Sequence, residues 1–103
     1  MIEIMNRGKI ATGATLASEW QALGNNGLFV DVDTTAAGFT KTPTYITALH
    51  GFGAHWRTSG GSSVYSATPK TFRVYVRFVG AGPLTPEMAQ QHGWHIQWVG
   101  IES

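Results

Sequence analysis

Alternation with a period of two constrains this chain more than any other feature of it. In Thr71-Phe72-Arg73-Val74-Tyr75-Val76-Arg77-Phe78-Val79, Phe72, Val74, Val76 and Phe78 fall on one face and Arg73, Tyr75 and Arg77 on the other. Successive side chains of a strand point to opposite sides of its sheet, so this run is a strand with one face buried. Gly27-Leu28-Phe29-Val30-Asp31-Val32-Asp33 behaves alike, with Leu28, Val30 and Val32 inward and Asp31 and Asp33 outward. Trp94-His95-Ile96-Gln97-Trp98-Val99-Gly100-Ile101 sets Trp94, Ile96 and Trp98 against His95 and Gln97. Thr44-Tyr45-Ile46-Thr47-Ala48-Leu49 is rich in β-branched and aromatic residues. It starts just after Pro43, which lacks an N–H and suits a first residue or an edge. Shorter strands are expected around Val64 and Tyr65 (residues 62–66) and near the N-terminus, over residues 9–12 or earlier at 2–5.

Turn chemistry separates these runs. Gly24-Asn25-Asn26-Gly27 offers residues that tolerate positive φ, Ala36-Ala37-Gly38 and Lys41-Thr42-Pro43 break the chain, and Ala67-Thr68-Pro69-Lys70 is a tight connection. Residues 51–61 form a loop of the length that often carries function. A short helix is expected with Thr85 as N-cap, Pro86 at its first position, Glu87 in its first turn and Gly93 as its stop. A second is expected over residues 15–23, where Leu16, Trp20 and Leu23 share a helical face. The fold class is all-β: a small antiparallel β-sandwich of about six strands with one or two short helical turns. At 103 residues the chain is one domain, 1–103, and its modest core makes oligomerisation a natural way to bury more surface.

Charged residues are 13% of the chain, about half the usual share, and the net charge is +1. Neither nucleic acid nor an anionic membrane surface finds an electrostatic footprint here. With 43% hydrophobic residues the chain is not disordered, and without cysteine it has no disulfides, Cys-ligated zinc or thiol nucleophile. No apolar run is long enough to span a membrane, and residues 1–10 lack a signal-peptide core. Cytoplasmic synthesis is expected, with release or incorporation into a virion left open.

A search for catalytic constellations returns little. Asp31 and Asp33 lie two apart on one strand face, about 7 Å by strand geometry, a separation near that of glycosidase carboxyl pairs. A solvated face, or a cross-strand ion pair with Arg73 or Arg77, accounts for them better, because no cleft framework surrounds them in so small a chain. His50, His55, His92 and His95 show no pair at ligand spacing, although a three-fold axis could gather one from each chain. No nucleophile elbow, phosphate loop or dinucleotide fingerprint occurs. No cofactor and no catalytic residue is expected.

The aromatic residues say more. Four Trp and three Tyr are many for so small a core, and such residues gather at interfaces and sugar-binding surfaces. A sugar's apolar face can lie on a ring while charged and amide groups hold its hydroxyls. Trp56, between His55 and Arg57 in the longest loop, has that composition. It equally suits a plug at one end of the sandwich. Trp94 and Trp98 share a face with Ile96 and are expected in the core. The Arg73, Tyr75, Arg77 stripe is either a subunit contact or a polar ligand surface, and the low charge content together with the aromatic-Arg pattern favours the subunit contact.

The order of Val30-Asp31-Val32, Ala37-Gly38-Phe39, Thr42-Pro43-Thr44-Tyr45-Ile46-Thr47-Ala48-Leu49, Thr71-Phe72-Arg73-Val74-Tyr75-Val76 and Trp98-Val99-Gly100-Ile101 resembles the H-type lectin domain. That family is a six-stranded antiparallel sandwich that trimerises and binds N-acetylgalactosamine-type sugars near protomer interfaces. Residues 83–93 are longer than the family pattern, and residues 56–66 match no motif of it, so no sugar contact is carried over residue by residue. The resemblance implies a non-catalytic, lectin-like homotrimer whose partner is a glycan on a cell surface or glycoconjugate. Trp56, His55, Arg57, Asp31, Tyr75 and Arg73 are its candidate ligand-binding residues. The alternative is a structural trimerisation domain or the receptor-binding tip of a phage tail or fibre.

Overall fold

The computed structural model describes residues 8–80 and 82–103. The earlier placement of the N-terminal strand, at residues 2–5, lies outside them. The strands are β1 (Lys9–Ala14), β2 (Gln21–Leu23), β3 (Gly27–Asp33), β4 (Thr44–His50), β5 (Thr58–Ser59), β6 (Val64–Tyr65), β7 (Thr71–Phe78) and β8 (His95–Glu102). One helix, α1 (Pro86–Gln91), precedes β8. A three-stranded antiparallel sheet runs β1-β8-β4. The larger sheet runs β2-β3-β7, with β5 and β6 sharing the far edge of β7.

The β3/β7 ladder is the spine of the larger sheet. Its register pairs Leu28, Val30 and Val32 with Val76, Val74 and Phe72, and all six are buried. They face Tyr45, Ile96 and Trp98 of the smaller sheet and Trp94 just before β8, also buried. Tyr45 meets Trp98 edge-on at a centroid distance of 6.0 Å, and Phe72 meets the same Trp98 at 6.2 Å, the geometry aromatic quadrupoles favour. Tyr45 needs a partner for its hydroxyl in this position. It donates to the Thr68 carbonyl at 2.7 Å and lies 2.7 Å from Thr34 Oγ1, which satisfies the polar end of an otherwise apolar side chain.

The strongly alternating runs form strands within a residue or two of where the pattern puts them. Two short strands, β2 and β5, escape it, so the sandwich has eight strands rather than about six. The helix expected over residues 15–23 does not form. Only a 3-10 turn at Ala17–Glu19 is helical there, and Gln21–Leu23 pairs with β3. Leu16 and Leu23 are exposed, and Trp20 alone is buried, its indole N–H donating to the Trp94 carbonyl at 2.8 Å. An open sheet edge and a buried indole outweigh three apolar residues at helical spacing, because tertiary pairing routinely overrides local pattern. In the Gly24–Gly27 turn, Gly24 alone has positive φ; Asn25 and Asn26 do not use theirs.

Helix α1 forms as its caps dictate. Thr85 Oγ1 accepts from the Met88 amide at 3.2 Å, Pro86 opens the first turn, and Gly93 reverses the chain at φ +64°. No helix among the described residues is long and apolar enough to cross a membrane.

Candidate functional site

The solvent face of the larger sheet carries the densest polar and aromatic cluster. The β3/β7 register sets Asp31 beside Arg73 and Phe29 beside Tyr75, while β6 brings Tyr65 to the other side of Arg73. Arg73 grips Asp31 with both ends of its fork, Nε to Oδ1 at 2.6 Å and Nη2 to Oδ2 at 2.9 Å. The same guanidinium lies 4.4 Å over the Phe29 ring and donates to the Tyr75 hydroxyl at 3.4 Å. Tyr65 meets Tyr75 edge-on at 4.9 Å. The expected cross-strand ion pair therefore forms with Arg73, not Arg77. Asp33 instead accepts the Thr35 amide at 2.9 Å.

Toward the Gly27 end of the same face lies an open cleft of about 520 Å³. Tyr65 and Tyr75 wall it on one side, and Asn26, Ser59, Ser63 and Arg77 supply its polar atoms. Among the described residues, no carboxylate lines it.

The six candidate residues do not form one site. Asp31, Arg73 and Tyr75 come together on the open face, whereas His55, Trp56 and Arg57 form a 3-10 turn at the Phe78 end of β7. Five residues separate Arg73 from Phe78, about 17 Å along a strand. Trp56 does not plug the sandwich either. It is 85% exposed, as its loop neighbour Phe52 is at 90%. Trp94, fully buried, closes that end of the core and ties the loop down by donating its indole N–H to the Gly53 carbonyl at 2.8 Å. Arg57 leans over Phe78, 5.4 Å from the ring centroid, and His55 Nδ1 is shielded without a hydrogen-bond partner among the described residues.

Tyr65, Ser59, Ser63 and Asn26 were absent from the candidates drawn from sequence. Strand β6 contains only Val64 and Tyr65, too short an alternation to show that Tyr65 joins the β7 face. Ser63 and Asn26 sit in turns and Ser59 in the two-residue β5, whose placement only the folded sheet determines.

The histidines pair by stacking. His50 and His95 lie opposite each other at 5.7 Å, and His92 stacks on Trp94 at 6.0 Å. No group of three or more His, Cys, Asp or Glu suited to a metal ion occurs among the described residues.

Three carboxylates, Asp31, Asp33 and Glu102, are held in their charged forms. The hydrogen bonds and charge of Arg73 keep Asp31 below the usual carboxylate range against a small opposing effect of burial. Thr35 does the same for Asp33. The amides of Lys41 and Thr40 lower Glu102, helped by the Lys9 charge. Each folded-state pKa lies below its unfolded value, so the associated stability is present above about pH 4 and is lost as pH falls through the folded value. The melting temperature is expected to drop between pH 5 and pH 3, and Asp31→Asn to flatten part of that drop. Thermal melts across this range check it; a slope unchanged in the variant would remove Asp31 from the account.

The solvent face of the smaller sheet is different in kind. Its rows read Ile10, Ile101, Thr44; Thr12, Val99, Ile46; Ala14, Gln97, Ala48; then His95 beside His50. None of these carries a fixed charge.

No protein-family model matches this chain, and no curated protein does.

Proposed function

We propose that this chain is a non-catalytic carbohydrate-binding module that works as a homo-oligomer, a trimer as the resemblance to H-type lectins implies, and that it takes its glycan in the cleft beside Tyr65 and Tyr75. The observation that carries this reading is the cleft's make-up. Two tyrosine rings stand beside short polar side chains and one guanidinium in an open concavity on a rigid sheet. A sugar presents the matching surface, with apolar C–H faces for the rings and hydroxyls for Ser59, Ser63 and Asn26.

Asp31 and Arg73 lie beside the cleft on the same face, and Arg73 donates to the hydroxyl of Tyr75. Their bidentate pair is exposed and contributes little stability by itself, but the stack on Phe29 sets the position of Tyr75. The state of the acids supports a binding role over a hydrolytic one. Asp31, Asp33 and Glu102 each accept bonds from backbone amides or a guanidinium that lower their pKa values, and a general acid needs a raised pKa, not a lowered one.

A glycan-array screen combined with light scattering on the same sample tests the proposal. A trimer that binds sugar is expected. Tyr65→Ala should weaken the hit at least tenfold with the circular dichroism spectrum unchanged, while Trp56→Ala should leave it intact. Loss of binding in the Trp56 variant alone would move the site to the 3-10 turn.

A structural assembly domain, such as a fibre or tail tip, is the second reading, and the uncharged face of the smaller sheet favours it. Three strands of about seven residues cover about 340 Å² of flat footprint. That is well short of the roughly 800 Å² per partner that a stable interface buries. This face therefore needs further surface to hold an oligomer, which keeps the assembly reading second. A trimer with a silent array would reverse the order.

A further inference from the structure

We propose that the sugar taken by the outer-face cleft is acidic, bearing a carboxylate or sulfate group that pairs with Arg77; this rests on the carbohydrate-binding reading of the same cleft.

The charge inventory of the larger sheet's open face carries the argument. It holds two arginines with opposite situations. Arg73 is committed, both of its fork positions engaged by Asp31. Arg77 lies in the cleft wall and makes no side-chain hydrogen bond or ion pair among the described residues. Its cross-strand neighbours offer it no charge: on β3 it faces Gly27, and on β5 it faces Ser59, whose hydroxyl it does not engage. The nearest carboxylate on that face along β3 is Asp31, four residues from Gly27, about 13 Å along the strand. Asp31 is already taken.

The cleft thus presents a full positive charge without a counter-charge in a chain that uses few charges at all. It also lacks what a site for a neutral sugar commonly uses, a carboxylate accepting from adjacent hydroxyls. Every carboxylate-free polar group around it, Asn26, Ser59 and Ser63, pairs equally well with hydroxyl or anion. Arg77 is exposed, and its guanidinium still gains more from an ionised acceptor than from a hydroxyl. It can meet two oxygens of a carboxylate or sulfate at once, which makes such bonds shorter and stronger than those to hydroxyls. Leu23 and Tyr75 flank Arg77 in the lining, so the ring of the sugar would lie on apolar surface while its anionic group reaches the fork.

The test is an amide-resonance titration of the full chain with galactose, galacturonate and galactose 6-sulfate, each also at raised salt. Sodium acetate and sodium sulfate serve as sugar-free controls. Expected are shifts at Ser59, Ser63 and Arg77, with one of the acidic sugars bound at least tenfold more tightly than galactose and the difference shrinking as salt rises. The tighter of the two identifies the anionic group. In Arg77→Gln the preference should disappear, with both acidic sugars bound no more tightly than galactose is by the same variant. Equal affinity for galactose and both acidic sugars, or a preference that survives Arg77→Gln, would overturn the acidic-ligand inference and leave the sugar site standing. Acetate or sulfate matching the acidic sugars would overturn it as well, reducing the cleft to an anion site. Shifts from none of the sugars would sink the carbohydrate-binding reading itself.

Discussion

Trp94→Ala is expected to lower the stability of this domain by about 3–5 kcal/mol, the usual loss when a buried tryptophan is truncated. Small domains have only about 5–15 kcal/mol in total, so the urea midpoint should fall steeply. Three structural facts make this position costly. The side chain is fully buried and meets Phe78 edge-on at 6.4 Å. Its indole N–H donates to the Gly53 carbonyl, and its own carbonyl accepts the Trp20 indole N–H, both at 2.8 Å. The residue thus joins the core, the loop after β4 and the segment before β2. Trp94→Phe separates the contributions, because it keeps an aromatic ring and removes the bond to Gly53. Its loss should be about 1–3 kcal/mol. Urea unfolding of both variants checks the ordering. A loss below about 1 kcal/mol for Trp94→Ala would mean that the end of the sandwich packs without it.

Trp94 also shows what the sequence made legible and what it did not. Its placement in the core follows from alternation with Ile96 and Trp98, since a strand that buries one face must bury every second residue. The same rule identifies β3, β7 and β8, whose runs are long enough for the pattern to be unambiguous, while β4 is marked by its β-branched and aromatic composition. Strands β2 and β5 have three and two residues, shorter than any alternation can mark, and exist because β3 and β7 offer free edges. Residues 15–23 mislead for a related reason. Leu16 and Leu23 look like parts of a helical face, yet only Trp20 of the three reaches the core. The site divides along the same line. Asp31, Arg73 and Tyr75 could be found because each sits on a long, regular strand. Tyr65, Ser59 and Asn26 could not, because turns and two-residue strands bring them to the cleft. Trp56 was conspicuous by composition, but composition does not say which end of a sheet a loop residue joins.

Gly60→Ala is expected to damage stability and ligand binding together, and no other single-atom change near the cleft should do as much. Gly60 links β5 to the turn before β6, with φ +107° and its carbonyl accepting the Ser63 amide at 2.9 Å. A side chain rarely adopts that backbone conformation, and the strain alone costs about 1–3 kcal/mol. An added Cβ would also strike the Tyr75 carbonyl oxygen, a backbone atom of the central strand that cannot swing away. The variant must therefore lift the β5–β6 connection off β7. Ser59, Gly60, Ser63 and Tyr65 all line the cleft, so its wall moves with the connection. Sugar affinity should fall at least tenfold, alongside a lower urea midpoint. Gly53→Ala is the matched control: nothing lies within 4 Å of its added Cβ, and its stability should change by no more than about 0.5 kcal/mol. Affinity intact in a destabilised Gly60 variant would separate the cleft from this connection and place the ligand elsewhere on the sheet. A variant unchanged in both would show that the close approach to Tyr75 is not what holds β5 and β6 in place.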